Sequence, residues 1–412
     1  MKRETTKKYK GNTTRGEEML ALRRRREAES YAFFRGGFRP FFFSGPAWAV
    51  IALTLWLLAL NGTVTLPIAI DPLSWHRHEM LFGFVGAVIA GFLLTAVPNW
   101  TGRLPIAGWP LAGLLGLWLA ARLAVLFSVF VSLYAAAVLD VGFFLTLALL
   151  AVREILQSKN RNLPVVGLIL LFGLADAVDY LCISGAIPAT DLGWQLAVSI
   201  VLILISLIGG RIIPSFTRNW MVKQGITRGL PTQPGRFDVV VIAITAFALL
   251  AWISGPRTVP IGIVIGLAAL LQAVRLARWR GFRTWRDPLV LILHVGYAWV
   301  PIGLALLGCS VAGLLASSAA IHSITAGAMT TMIVAVMTRA SLGHTGRELR
   351  ANAATVCVYV LVTAGAVLRV CASLALIDYS IGLEVAGTAW GAGLVLFLLS
   401  YAPVLWRPRL GG

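Results

Sequence analysis

Residues 78–103 read HEMLFGFVGAVIAGFLLTAVPNWTGR, and residues 322–347 read HSITAGAMTTMIVAVMTRASLGHTGR. Both stretches begin with histidine and end with Thr-Gly-Arg, and aligned without gaps they share seven identities in 26 positions. Each stretch is also apolar over about 20 residues, which is the length that an α-helix needs to cross a lipid bilayer. The two stretches therefore predict two membrane-spanning helices in the same orientation, each with a histidine at the same depth.

The composition excludes a soluble protein. Hydrophobic residues make up 58% of the 412 residues, charged residues only 13%, and the mean hydropathy is +0.84. The alternating pattern of a transmembrane β-barrel is absent, so we predict an all-α polytopic bundle of about 12 transmembrane helices in a lipid bilayer. The predicted spans are 42–61, 78–98, 108–127, 130–150, 163–182, 193–213, 237–254, 258–276, 288–308, 316–337, 353–372 and 385–405.

The net charge of +18 would indicate nucleic acid as a partner of a soluble protein, but the placement of the charge indicates a membrane orientation instead. With twelve spans, 31 of the 35 lysines and arginines fall on one side, the exceptions being Arg77, Arg122, Arg257 and Arg369. Because cytoplasmic loops are enriched in basic residues, both termini are predicted to lie in the cytoplasm. No nucleic-acid partner is expected.

Two regions differ in composition. Residues 1–32 are polar and basic and predict a disordered cytoplasmic tail, while 33–412 form a single transmembrane domain. The repeat joins the second span to the tenth, and this spacing of eight helices favours three four-helix units beginning near spans 1, 5 and 9. A 6+6 transporter arrangement remains the alternative.

The five histidines are the candidate metal ligands. His76 and His78 lie about 200° apart around one helix, so they face different neighbours. His78 shares the repeat position with His322, and this pair is the first choice for two axial haem ligands, with His76 at the interface or in a second site. His294 and His344 lie nearer the cytoplasm and are candidates for a second metal site, or for polar packing. The chain has no C-x-x-C-H motif, so any haem is held non-covalently.

Two of the four exceptional arginines, Arg122 and Arg369, lie near the outer ends of their spans. Guanidinium groups bind carboxylates in a bidentate manner, so both are candidate ligands of haem propionates. The alternatives are ion pairs with Asp140, Asp176 or Asp179, or an extended side chain that reaches the lipid headgroups.

Several motifs resemble the NnrS family, and the resemblance extends over nearly the whole chain from about residue 30. They are residues 33–42 (FFRGGFRPFF), 78–84 (HEMLFGF), 97–103 (VPNWTGR), 209–214 (GGRIIP), 217–220 (TRNW), 294–299 (HVGYAW) and 337–347 (MTRASLGHTGR). The resemblance implies a polytopic membrane protein with haem b and copper, made in response to nitric oxide and associated with tolerance of nitrosative stress during denitrification.

The leading functional prediction is therefore a haem and copper membrane protein that binds or handles nitric oxide. Histidines on spans 2 and 10 of three four-helix units would resemble the layout of haem–copper oxidase core subunits, which is an analogy of architecture only. The alternatives are a secondary transporter for an ion or small anion that uses buried His, Asp and Arg, and a non-catalytic chaperone or metal-delivery protein. The sequence leaves open whether the protein turns over nitric oxide, and which electron donor serves it.

Overall fold

The computed structural model describes residues 30–158, 162–188 and 190–410, and within them it confirms the predicted all-α membrane fold. Nearly all of the predicted basic tail, residues 1–29, lies outside the described residues. Twelve helices are long and apolar enough to cross a membrane. They are α1 (Phe38–Leu60), α2 (Pro72–Thr101), α3 (Trp109–Leu126), α4 (Leu133–Ser158), α5 (Leu163–Ile183), α6 (Leu192–Lys223), α7 (Arg236–Ser254), α8 (Val259–Ala277), α9 (Pro288–Val311), α10 (Ser317–His344), α11 (Ala353–Ser373) and α12 (Tyr379–Trp406).

The first and last helices meet at one end of the bundle. Arg39 Nη1 donates hydrogen bonds of 2.7 Å to the carbonyl oxygens of both Leu405 and Arg407, and Phe33 stacks on Trp406. We call this the arginine-rich end, because 31 of the 35 lysines and arginines fall on this side of the predicted spans. At the opposite, arginine-poor end, each odd-numbered helix finishes and each even-numbered helix begins.

The helices close into a ring made of three consecutive groups of four. α4 packs on α5, α8 packs on α9, and α12 packs back on α1. The second helix of each group lies towards the middle, and α2, α6 and α10 line one cavity together with α5. α2 and α10 are the most enclosed helices, with 78% and 72% of their apolar windows buried. This arrangement favours the three-unit alternative over the 6+6 alternative.

The sequence repeat in α2 and α10 is also a repeat of backbone geometry. Both helices open into a π-helical segment immediately after the matched histidine, Glu79–Val85 in α2 and Ser323–Met329 in α10. A π segment leaves backbone carbonyls without their usual helical partners, and one of them, Thr325 O, accepts from Thr330 Oγ1 at 3.1 Å. Such segments are rare and concentrate at functional sites.

A glycine in each π segment admits a tryptophan from the preceding helix. A Cβ atom placed on Gly327 would lie 2.5 Å from the ring of Trp299, and one on Gly83 would lie 3.1 Å from Trp48 Nε1. Trp48 is on α1 and Trp299 is on α9, so the first two helices of unit one correspond to the first two of unit three. The repeat therefore includes helix packing as well as sequence.

We expect Gly327→Ala to destabilise the bundle by about 1–3 kcal/mol, the usual cost of overpacking a core, because the added methyl group would overlap the ring of Trp299. The measurement is the thermal unfolding temperature of the purified protein in detergent. Gly116→Ala is the matched control, since it lies within α3 and its added Cβ would meet nothing within 4 Å. Equal unfolding temperatures for the two variants would contradict the close packing.

Candidate functional site

Each four-helix unit holds one cluster of polar side chains, completed by a helix of another unit; the first two clusters are buried and the third is partly exposed. The first cluster consists of His78, Glu79, Arg122, Asp140, Asp176 and Tyr180. The second cluster consists of Ser206, Asp238, Thr245, Gln272, Arg275 and Tyr297. The third cluster consists of His76, Ser318, His322, Arg369, Ser373 and Tyr379.

The third cluster joins two histidines from α2 and α10, but the α2 histidine differs from the one that the repeat predicted. His322 and Arg369 are the titratable groups that act electrostatically on His76. The imidazole of His76 stacks on Trp56 of α1, with ring centroids 4.1 Å apart and an interplanar angle of 21°. The haem-ligand pairing of His78 with His322 stays a prediction. The α2 histidine within electrostatic range of His322 is His76, which lies about 200° away from His78 around α2.

Hydrogen bonds fix His322 and Arg369 in the third cluster. His322 Nδ1 donates to the carbonyl oxygen of Ser318 at 2.8 Å, which leaves Nε2 without a proton and able to bind a metal. Arg369 donates to Ser373 Oγ at 2.6 Å and to Ser318 Oγ at 3.2 Å, and its guanidinium lies over the ring of Tyr379. His76 Nδ1 is buried and has no hydrogen-bond partner among the described residues.

The first cluster holds His78, which is fully enclosed by α2, α4 and α5. Its Nε2 atom lies 3.0 Å from Asp176 Oδ1 and 3.6 Å from Asp140 Oδ2, while Nδ1 lies 3.3 Å from Glu79 Oε1. The ring of Tyr180 packs edge-on against the imidazole at 4.8 Å. The ligand atoms of His78, Asp140 and Asp176 lie within 4.8 Å of one another, so they form a group able to hold a metal ion.

Arg122 is the fixed cation of the first cluster. Its guanidinium contacts both carboxylate oxygens of Glu79 at 2.9 Å and forms an ion pair with Asp140. Glu79 also accepts a hydrogen bond from Trp48 Nε1. Arg122 therefore forms the ion pair that was one of its predicted roles. It belongs to a different cluster from Arg369, the other candidate propionate ligand.

The second cluster occupies the equivalent place in the middle unit and is saturated with hydrogen bonds. Arg275 donates to Asp238 at 2.7 Å, to Ser206 Oγ at 2.8 Å and to the hydroxyl of Tyr297 at 2.9 Å. Gln272 accepts from Tyr297 at 2.7 Å. This cluster has no histidine and no excess of carboxylates, so it is a structural network.

His294 and His344, the predicted pair for a second site, contact different helices. His294 Nε2 lies 2.8 Å from Thr217 Oγ1 of α6, and Gly281 packs against its ring. His344 is exposed, and its ring centroid lies 5.5 Å from that of Phe38 on α1. A metal site on either histidine stays a prediction.

An apolar cavity of about 110 Å³ lies where α2, α5, α6 and α10 converge. Its wall is formed by aliphatic side chains with Phe92, Met329 and Met332. The space is only partly enclosed, and its apolar lining suits small uncharged molecules. Met329 and Met332, which follow His322 on α10, both line this cavity.

Many of the side chains at these sites were not predicted from the sequence, among them Glu79, Trp48, Trp56 and Ser318. Glu79 carries a signal, because a carboxylate inside an apolar span must have a partner. The other three carry none, since tryptophan and serine are ordinary residues of membrane helices and only the packing brings them to the histidines.

The chain matches a known protein family. Residues 32–409 match the family model described as NnrS protein, which is nearly the whole chain. A search of curated proteins gave no match.

We expect Arg122→Gln to destabilise the protein strongly, by about 3–5 kcal/mol, because it leaves the buried carboxylates of Glu79 and Asp140 without their cation. Thermal unfolding in detergent measures the effect. Arg103→Gln is the control, since Arg103 pairs with Glu154 at a partly exposed site where an ion pair contributes roughly 0–1 kcal/mol. Similar losses in the two variants would contradict a supporting role for Arg122.

Proposed function

The chain belongs to the NnrS family, and we propose that it is an integral membrane haem protein that binds nitric oxide and contributes to nitrosative-stress tolerance. The observation that carries the proposal is the third cluster, where His76 of α2 lies within electrostatic range of His322 on α10 and of Arg369 on α11. We place this cluster, at the arginine-poor end, on the outer side of a bacterial inner membrane.

The donor groups of the third cluster fit a non-covalently bound haem b. His322 has the tautomer of a metal-binding histidine, because its Nδ1 proton is engaged by a backbone carbonyl and Nε2 would be the atom that holds the iron. His76 has an unpartnered buried nitrogen, and Trp56 fixes the plane of its ring. Bound between them, haem would supply a redox-active iron with affinity for nitric oxide.

Arg369 is suited to the carboxylate side of such a cofactor. It lies close enough to the imidazoles to act on both, and its hydrogen bonds to Ser318 and Ser373 hold the guanidinium at the entrance of the cluster. Guanidinium binds carboxylate in a planar, bidentate manner, so Arg369 is the residue we assign to a propionate.

The apolar cavity supports the choice of nitric oxide as the ligand. Nitric oxide is small and uncharged, and the cavity offers about 110 Å³ of apolar space. Met329, which follows His322 by about two turns on α10, lines that cavity. A small apolar ligand therefore has a place to reside near the proposed haem helix.

Copper remains a prediction from the family resemblance. The metal-ligating group found among the described residues is His78 with Asp140 and Asp176, and two carboxylates favour a harder ion than Cu(I). We therefore assign no copper ligands.

Secondary transport of an ion is the second candidate function, and the first cluster favours it. Arg77 lies 3.8 Å from Asp179 and 3.8 Å from the half-exposed Asp191, which extends polar groups from this region to the arginine-poor end. On its other side Phe82, Phe144 and Phe172 pack against one another. A transporter would need that aromatic layer to open.

We expect purified protein to have a Soret band that shifts on reduction with dithionite and again on addition of nitric oxide. His76→Ala and His322→Ala should each abolish most of the bound haem, measured as haem per protein by the pyridine haemochrome method, because each removes an axial ligand. His344→Ala is the control and should retain haem.

The His78→Ala variant separates the two assignments of the α2 ligand. Retention of haem in this variant, with loss in His76→Ala, supports the third cluster. Loss in His78→Ala with retention in His76→Ala would return the assignment to the matched histidines. A colourless protein that takes up no added haem would overturn the haem proposal and favour transport.

We expect Arg369→Gln to weaken haem retention by about tenfold or more, since a charge-assisted bond to a propionate contributes roughly 1.5–3 kcal/mol. The measurement is the rate at which apomyoglobin removes haem from the protein in detergent. Arg257→Gln, at the same end but 68% exposed in its side chain, is the control. An unchanged rate in Arg369→Gln would exclude the propionate contact.

A further inference from the structure

The first cluster has a donor set that the haem proposal does not use, and we infer that it is a site for one divalent metal ion of the manganese, iron or zinc class. The proposed ligands are His78 Nε2 with one carboxylate oxygen each from Asp140 and Asp176. The site lies between α2, α4 and α5, apart from the His76–His322 cluster, and does not depend on haem binding.

The distances between the donor atoms suit one small ion. His78 Nε2 lies 3.0 Å from Asp176 and 3.6 Å from Asp140, and the three ligand atoms fall within 4.8 Å of one another. Donors bound to one first-row ion at about 2.0–2.2 Å are themselves roughly 3–3.6 Å apart. All three side chains are fully buried, on three different helices.

The charge of the first cluster calls for a cation. Three carboxylates, those of Glu79, Asp140 and Asp176, are fully buried and face the single guanidinium of Arg122. The cluster carries an excess of two negative charges when His78 is neutral, the form that binds a metal ion, and of one when the imidazole is protonated. Buried charge without compensation is costly at membrane depth, and one divalent ion balances this excess.

Two carboxylate oxygens are left over for a ligand. Asp140 Oδ1 and Asp176 Oδ2 are buried and have no hydrogen-bond partner within the described part of the chain, although their sister oxygens contact Arg122 and His78. The second cluster provides the internal comparison, because Asp238 in it uses both oxygens, one on Arg275 and one on the backbone of Gly235. The two clusters hold equivalent places in the fold, and the first alone has unused acceptors of this kind.

The groups around the proposed ligands are those that support metal sites. Glu79 lies against His78 Nδ1 at 3.3 Å, which is the carboxylate–histidine–metal arrangement that orients the ring and leaves Nε2 for the metal. Tyr180 donates to Asp140 Oδ2 at 3.2 Å, and Arg122 holds the same carboxylate. One nitrogen and two oxygen donors suit Mn²⁺, Fe²⁺ or Zn²⁺ better than Cu(I), which prefers sulfur.

Carboxylates also provide a way in for the ion. Asp179 is buried one turn beyond Asp176 on α5, and neither of its oxygens has a hydrogen-bond partner among the described residues. Arg77 lies between Asp179 and the half-exposed Asp191 at the arginine-poor end. Movement of the Arg77 side chain, which is 27% exposed, would open this approach.

The test is binding of Mn²⁺ alone to the full-length protein in detergent, after removal of bound metals with a chelator, followed by electron paramagnetic resonance. We expect about one Mn²⁺ per chain, loss of this binding in Asp176→Asn and His78→Gln, and a weakening of roughly 10- to 100-fold in Glu79→Gln, which acts on the metal only through His78. Glu154→Gln is the matched control, because it removes a carboxylate from α4, the helix of Asp140, at a partly exposed position.

Stability measurements keep the result interpretable where a variant folds poorly. Mn²⁺ should raise the unfolding temperature of the wild type and of Glu154→Gln, and leave that of Asp176→Asn unchanged. Absence of Mn²⁺, Fe²⁺ and Zn²⁺ binding by the wild type, or equal binding by wild type and Asp176→Asn, would overturn the inference and assign the excess charge to protons. Haem content, measured on the same samples, reports on the proposed function separately.

Discussion

A charged group inside an apolar bundle must find its partner within that bundle, and this constraint organises the packing of α2. Glu79 and Arg122 are fully buried, and the contact between them joins α2 to α3. Asp140 continues the network onto α4, and Asp176 joins α5 through His78. Removing water makes each of these contacts stronger and each unpaired group more costly, so the four helices are held in one arrangement.

On the opposite face of α2, the polar side chain also has its neighbours within the bundle, but these are an aromatic ring, an imidazole and a guanidinium instead of carboxylates. His76 meets Trp56 of α1 and lies within the electrostatic influence of His322 and Arg369, which belong to the third unit. Residues two positions apart on an α-helix point about 200° apart, so His76 and His78 belong to separate clusters. One helix thereby contributes to the proposed haem site and to the proposed metal site, and the two remain chemically distinct.

The repeat explains why the matched histidines do not share a site. His78 shares the partners Glu79 and Asp140 with Arg122, on the third helix of unit one, and His322 is within electrostatic range of Arg369, on the third helix of unit three. Residues related by an internal rotation occupy equivalent places in different units, and they meet only when they lie on the rotation axis. The sequence match of His78 with His322 thus shows that they hold corresponding positions in two different units. For that reason they lie in different clusters.

The sequence by itself determined the membrane environment, the number of helices and the family, because apolar length and charge placement are local properties of the chain. It also determined that His76 and His78 face different ways. Only the tertiary structure decided which neighbours stand on each side of α2, since that depends on the ring closing through α12 and α1. It alone brought Asp140 and Asp176 to His78, because His78 and Asp176 are 98 positions apart in the sequence and no local signal predicts that contact.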